Sequence, residues 1–123
     1  MVIVREVTDS ELRQTLAAAE AALDEGSFSE CVRCSVAAYT RLIEQRPDMI
    51  VAPRMAHGGP GGVAMGGPRP WPSDHGVSFS MHNGSAPTLT FSKERFTLSE
   101  AATYFEYTLD MVLRAQRRPP AAT

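Results

Sequence analysis

The residues best suited to chemistry or recognition are concentrated in one segment, between Pro53 and Gly76. Its 24 residues include five prolines, seven glycines and two of the three histidines, His57 and His75. The only tryptophan and two of the arginines also lie there: Trp71, Arg69 and Arg54. A stretch of this length without helical or strand periodicity is uncommon inside a domain, and is usually functional or disordered. We therefore take these five side chains as the candidate binding residues.

The end of this segment favours recognition. In Pro68-Arg69-Pro70-Trp71-Pro72 the prolines set their own φ and disfavour helix in the preceding residue, which predicts an extended polyproline II run. A stiff run loses little entropy on docking, and Trp and Arg are enriched at binding hot spots. The favoured interpretation is that Trp71 docks onto a partner, so that Trp71→Ala weakens association while the melting temperature barely changes. Packing of Trp71 onto its own chain and disorder of the segment are the open alternatives.

A ligand pocket is the second hypothesis. The segment could close as a lid over a cavity beside the C-terminal helix, with a polar lining of His57, His75, Arg69 and Tyr104. Together with His82, the two histidines could form a zinc or non-haem iron site. They lack ligand spacing such as H-x-x-x-H, so we assign no metal, no cofactor and no catalytic residue. A small-molecule ligand stays open, and a non-catalytic role is favoured over an enzyme.

Cys31-Val32-Arg33-Cys34 has the C-x-x-C spelling. Redox and zinc versions of this motif lie at turns or helix N-termini, where a thiolate is stabilised and accessible. Here both cysteines fall within a predicted helix, and small buried cysteines are common on apolar helix faces. Core packing is therefore favoured over metal or redox chemistry, with reactivity left open.

Three helices are predicted from the way they begin. Each candidate start has Ser or Thr with Glu three residues later, the capping box: Thr8 with Glu11, Ser27 with Glu30, and Thr97 with Glu100. Apolar residues follow at helical spacing and predict helices over about 9–25, 28–46 and 98–116. Gly26 suits a left-handed cap after the first helix, and Pro47 prevents continuation of the second.

A β-hairpin is predicted over residues 77–92. Apolar side chains alternate with polar ones at Val77 and Phe79, and again at Leu89 and Phe91. Two strands alone are marginal in water, so a third strand from residues 2–4 or 49–51, the C-terminal helix or another chain should cover them. Open strand edges also invite pairing. We therefore expect contact with a protein partner or with a second copy in a homodimer.

The positions of Gly26, Phe28, Tyr39, Leu42 and Pro47 resemble one helical hairpin of the tetratricopeptide repeat family. The resemblance covers about 36 residues ending at the proline, and the second helix is about one turn longer than in the repeat. No second copy follows along the chain. The resemblance implies an antiparallel helix pair and, for function, partner binding.

Composition limits the remaining classes. The 123 residues fit one domain, 1–123, and the net charge of −2 argues against nucleic acid or an anionic membrane. Arginines 114, 117 and 118 form a small basic cluster, but the net negative charge and the lack of aromatic residues among these arginines argue against nucleic-acid binding. There is no apolar run long enough to span a membrane and no secretory signal, so a cytoplasmic location is expected.

These observations predict an α+β fold. An N-terminal helical hairpin is followed by the long Gly/Pro-rich loop over 53–76, and then by the β-hairpin with a C-terminal helix packed on it. For function we expect a non-catalytic protein-interaction module or accessory subunit, with the loop and the hairpin edge as its contact surface.

Overall fold

The structure, a computed structural model, describes residues 4–50, 70–80 and 87–117. They form an α+β fold in which a helical hairpin precedes an antiparallel two-stranded sheet and a third helix. The elements in chain order are α1 (Ser10–Glu25), α2 (Phe28–Gln45), β1 (Val77–Ser80), β2 (Thr88–Phe91) and α3 (Leu98–Arg117). The predicted fold class is confirmed, and each helix begins and ends within one residue of its predicted bounds.

The three predicted capping boxes have different outcomes. At α3 the box is present, because Glu100 N–H donates to Thr97 Oγ1 at 3.2 Å and Thr97 N–H donates to Glu100 Oε1 at 2.9 Å. At α1 the prediction was wrong. The cap there is Asp9, whose Oδ1 accepts from Leu12 N–H at 2.9 Å. Asp9 is one residue closer to the helix than Thr8, and its carboxylate also suits the positive helix N-terminus.

The box at α2 is also absent, and the preceding turn explains why. Gly26 ends α1 in the left-handed region, with φ of 83°, and Ser27 N–H then donates to Ala22 C=O at 2.8 Å. This closes α1 as a Schellman-type turn. It holds Ser27 at a ψ of 71°, outside the extended geometry of an N-cap, and its side chain makes no capping hydrogen bond.

The core is built around α2, which packs between α1 and α3. Small residues let α2 and α3 approach closely. Cys31 Sγ donates to Ala101 C=O at 3.8 Å, and Thr108 Oγ1 donates to Ser35 C=O at 3.4 Å. Cys31 is fully buried, so its predicted place in the core is confirmed.

A third strand, one of the alternatives for covering the hairpin, is not found in the described residues. Val4 begins a 3₁₀ turn over Val4–Glu6, and Met49 ends another over Pro47–Met49. Both side chains are buried in the helical core. Pro47 favours the turn, since its fixed φ suits the start of a helical turn. Residues 2, 3 and 51 of the two candidate runs lie outside the described ranges.

The far end of α3 is held by two polar side chains. Arg46 Nη1 donates to Ala115 C=O at 2.7 Å, while its Nε and Nη2 donate to the two carboxylate oxygens of Asp48 at 2.9 and 2.8 Å. Gln116 donates to Glu6 C=O at 2.8 Å. A guanidinium at a helix C-terminus compensates the partial negative charge of the last carbonyls.

Candidate functional site

Trp71 lies in the core of its own chain, with 7% of its surface exposed. Its ring is stacked on Tyr104 at a centroid distance of 4.9 Å and an interplanar angle of 23°. Tyr39 lies 4.7 Å away, and Tyr107 meets the indole edge-on at 5.3 Å. The interpretation of Trp71 as an exposed docking residue therefore does not hold for this structure, which matches the self-packing alternative. The physical reason is that the aromatic cluster buries the whole indole.

The polar groups of this cluster bind the main chain of β1. Trp71 Nε1 donates to Val77 C=O at 2.8 Å, and Val77 N–H donates to Tyr104 Oη at 3.0 Å. The Tyr104 hydroxyl in turn donates to Pro72 C=O at 2.9 Å. Burial raises the pKa of Tyr104, so this hydroxyl keeps its proton and its role as a donor well above neutral pH. Both main-chain groups of Val77 are thus occupied by side chains.

The ladder geometry tells which edge of the sheet these contacts occupy. In the antiparallel register Val77 is opposite Phe91, and Phe79 is opposite Leu89. Ser92 N–H donates to Gly76 C=O at 2.9 Å, which makes that facing pair a hydrogen-bonded one. Because such pairs alternate along an antiparallel ladder, the N–H and C=O of Val77 and Phe79 point away from β2. Trp71 and Tyr104 therefore close the outer edge of β1 at Val77.

The outer edge of β2 differs from that of β1 in the hydrogen bonding of its main chain. By the same alternation, Leu89 and Phe91 direct their N–H and C=O away from β1. In the described ranges no hydrogen bond to these four groups is found. Leu89 is partly buried and Phe91 is 40% exposed, while Thr88 and Thr90 are exposed. We call the main-chain groups and side chains of Leu89, Thr90 and Phe91 the β2 edge.

A surface hollow of about 720 Å³ adjoins this edge. It is lined by Phe91 and the four residues that follow, Ser92, Lys93, Glu94 and Arg95. Phe91 meets Phe96 edge-on at a centroid distance of 6.2 Å, so one side of the exposed ring packs against Phe96. Lys93 forms an ion pair with Glu100 at 2.5 Å. The hollow therefore presents an aromatic ring within a rim that carries charges of both signs.

The other candidate residues divide into two groups. His75 lies in the 3₁₀ turn Ser73–His75, partly exposed, with its ring 6.3 Å from that of Tyr104. His57, Arg69 and Arg54 lie outside the described residues, as does most of the predicted loop.

The lining that the pocket hypothesis assigned to Tyr104 is not found. Tyr104 is fully buried, and Trp71 fills the space beside its ring. Among the residues that the structure describes, no group of three His, Cys, Asp or Glu side chains could hold a metal ion. No contact of the described residues favours the pocket hypothesis over the β2 edge.

The cysteines are poorly suited to nucleophilic chemistry. Burial raises the pKa of the Cys31 thiol to about 11. Burial also raises the pKa of Cys34. The Glu30 carboxylate, which accepts a hydrogen bond from the Cys34 thiol at 3.6 Å, raises this pKa further. Since the thiolate is the nucleophile, the raised pKa values disfavour nucleophilic chemistry at both residues.

The β2 edge was only partly foreseen from the sequence. The alternation of Leu89 and Phe91 predicted the strand, but nothing local distinguishes an open edge from a closed one. The sequence indicated Tyr104 only as a pocket-lining residue, and the binding of its hydroxyl to the main chain of β1 was not foreseen. A tyrosine on the apolar stripe of a helix that follows a hairpin is a weak signal for such a role.

Comparison of the chain with protein-family models, with curated proteins and with solved structures gave no significant match. In the described part of the chain, no helix combines the length and the apolar character that crossing a bilayer requires. The β2 edge and its adjoining hollow are the candidate functional site of the described residues.

Proposed function

We propose that the protein is a non-catalytic interaction module that binds an extended segment of a protein partner along the β2 edge. The observation that carries this proposal is the asymmetry of the sheet. On β1, Trp71 and Tyr104 bind the outward main-chain groups of Val77, and those of Phe79 have no hydrogen bond in the described residues. On β2, the outward groups of both Leu89 and Phe91 have none there.

Strand addition is the mode of recognition that such an edge supports. An incoming strand would satisfy the outward N–H and C=O groups, and these main-chain bonds provide affinity without dependence on sequence. Specificity would come from side chains at alternate positions of the ligand. On the apolar face they would meet Leu89 and the exposed ring of Phe91.

Within the Gly/Pro-rich loop, the structure describes residues 70–76. Trp71 anchors the end of that loop to the core and protects the β1 edge. This supports a structural part for its last residues in holding the sheet. Recognition by Arg69, His57 and Arg54 stays a prediction, because these residues lie outside the described ranges.

The test is selection of peptides from a displayed random library on the immobilised protein. A proline at position 89 removes only an outward N–H, since the N–H groups that bind β1 belong to the even-numbered positions. Selected peptides should bind wild type, should bind Leu89→Ala more weakly because the leucine contact is lost, and should fail to bind Leu89→Pro.

The matched control separates loss of the edge from loss of the fold. Thr90→Pro removes a donor to β1 and should lower the melting temperature, whereas Leu89→Pro should melt close to Leu89→Ala. The proposal is contradicted if selected peptides bind Leu89→Pro as well as Leu89→Ala. It is equally contradicted if the selection returns no ligand and the protein does not self-associate.

A further inference from the structure

We infer that the segment completing the β2 edge is β2 of a second copy of this chain, with the two-fold axis at Thr90. Leu89 of each copy then lies opposite Phe91 of the other. This inference rests on the proposed function and names the partner of the same edge.

The alternation of side chains restricts the register. Residues directly opposite one another in an antiparallel pair project from the same face. Leu89 and Phe91 share the apolar face with Val77 and Phe79, while Thr90 projects from the other face. An axis lying between two residues would place leucine or phenylalanine opposite threonine. Only an axis passing through a residue keeps the apolar face continuous between the copies.

Hydrogen bonding then selects among the axes that pass through a residue. With the axis at Thr90, two facing pairs of Leu89 and Phe91 form, and each pair exchanges both of its outward main-chain bonds. With the axis at Leu89, Phe91 lies opposite Pro87, which has no N–H to donate. With the axis at Phe91, Leu89 lies opposite Lys93, so the apolar face is interrupted by a charge. Only the axis at Thr90 pairs all the outward groups of Leu89 and Phe91 and keeps charge off the apolar face.

The charge of the strand agrees with pairing between identical copies. The sequence of β2, Thr-Leu-Thr-Phe, has no charged side chain, so two copies meet without like-charge repulsion across the axis. A strand that carried a lysine or glutamate would oppose its own copy near a two-fold axis. Natural edge strands are often protected in this way, and β2 lacks that protection.

The β1 edge is bound at Val77, and the symmetry of the interface closes the assembly at two copies. Pairing across the axis gives a sheet in the order β1-β2-β2-β1, in which both outer strands are β1. Each outer strand already has Val77 bound by Trp71 and Tyr104 of its own chain. The interface is isologous and self-complementary, which is the symmetry of a closed dimer rather than of a filament.

Cysteine cross-linking tests the register directly. Thr90 meets its own copy in a non-hydrogen-bonded pair, in which Cα atoms are about 4.5 Å apart, within the range that a disulfide spans. In a Cys34→Ser background, Thr90→Cys should form a disulfide-linked dimer under mild oxidation. The matched control Thr88→Cys should not link to itself, since Thr88 lies opposite Ser92. A mixture of Thr88→Cys with Ser92→Cys should link.

Sedimentation equilibrium tests the association without any cross-link. Wild type should form a dimer, and Leu89→Pro should weaken dimerisation by at least about tenfold relative to Leu89→Ala, because the pairs at the axis lose donors. A wild-type chain that stays monomeric overturns the inference. Preferential linking of Thr88→Cys with Thr90→Cys, or self-linking of Thr88→Cys as fast as Thr90→Cys, overturns the register and with it the inference.

Failure of this inference is distinguishable from failure of the proposed function. If wild type is monomeric but binds selected peptides, and Leu89→Pro abolishes that binding, the β2 edge is still a site for another protein and only the homodimer is excluded. If wild type is monomeric and no such peptides are selected, the homodimer and the proposed function are both excluded.

Discussion

The indole Nε1 of Trp71 donates a hydrogen bond of 2.8 Å to the main-chain carbonyl of Val77, a residue whose polar groups point away from β2. A single side chain therefore fills the core and blocks a strand edge. Buried tryptophans usually find a partner for their N–H, and here that partner is an outward-directed carbonyl of a strand edge. On the other strand, the outward main-chain groups of Leu89 and Phe91 have no hydrogen bond in the described residues.

Trp71→Ala should destabilise the protein strongly. Truncating a buried aromatic leaves a cavity and typically costs about 3–5 kcal/mol of unfolding free energy. Urea denaturation measures this loss. Phe91→Ala is the control, because Phe91 is 40% exposed and should cost much less. Equal stability of Trp71→Ala and wild type would restore the interpretation of Trp71 as a docking residue.

The losses of unfolding free energy caused by Trp71→Phe and Tyr104→Phe should be non-additive. Each removes one polar group that binds the main chain of Val77, at a cost of about 1–2 kcal/mol when a buried partner is left unsatisfied. Because both act on one residue, a double-mutant cycle of unfolding free energies should show coupling of about 0.5 kcal/mol or more. Strictly additive effects would indicate that the two contacts do not cooperate at this edge.

Arg46→Ala should lower the unfolding free energy by about 1–3 kcal/mol. The change removes the two-point contact between Arg46 and Asp48, two side chains that are both mostly buried. It also removes the hydrogen bond that Arg46 donates to Ala115 C=O at the end of α3. Arg33→Ala is the matched control. Its ion pair with Glu30 is well exposed and should contribute little. Equal decreases in the melting temperature of Arg46→Ala and Arg33→Ala would contradict the stabilising role of Arg46.

Stability should fall as the pH rises from about 9 to about 11. The Cys31 thiol has a pKa raised by burial from 9.0 to about 11, so above pH 9 the unfolded chain loses a proton that the folded chain keeps. The contribution of Cys31 is complete below pH 9 and is lost by about pH 11. Tyr39 and Tyr104, whose pKa values burial also raises, act in the same direction at higher pH.

Urea midpoints measured across this pH range should decline less steeply for Cys31→Ala than for wild type. A constant offset between the two proteins is expected from the change in packing, so the slope is the quantity to compare. Parallel curves would show that the thiol does not stay protonated in the folded state.

How far the sequence leads is clearest at the helix boundaries. Apolar spacing, the glycine at position 26 and the proline at position 47 predicted all three helices, since these are local effects of backbone geometry. Caps were harder, because Asp9 competes with Thr8 for the same N–H groups and Ser27 is already held by the turn that ends α1.

The sequence alone determined the helical hairpin, the alternating strands and the absence of charge from β2, because each depends on neighbours within a few residues. Only the tertiary structure decided where Trp71 lies and, among the described residues, which outward main-chain groups of the sheet are bound. Trp71 and Tyr104 are separated by 33 positions along the chain, and they meet only when α3 has returned beside the hairpin. Tyr104 binds the N–H of Val77 from 27 positions away along the chain, so no local pattern contains that contact.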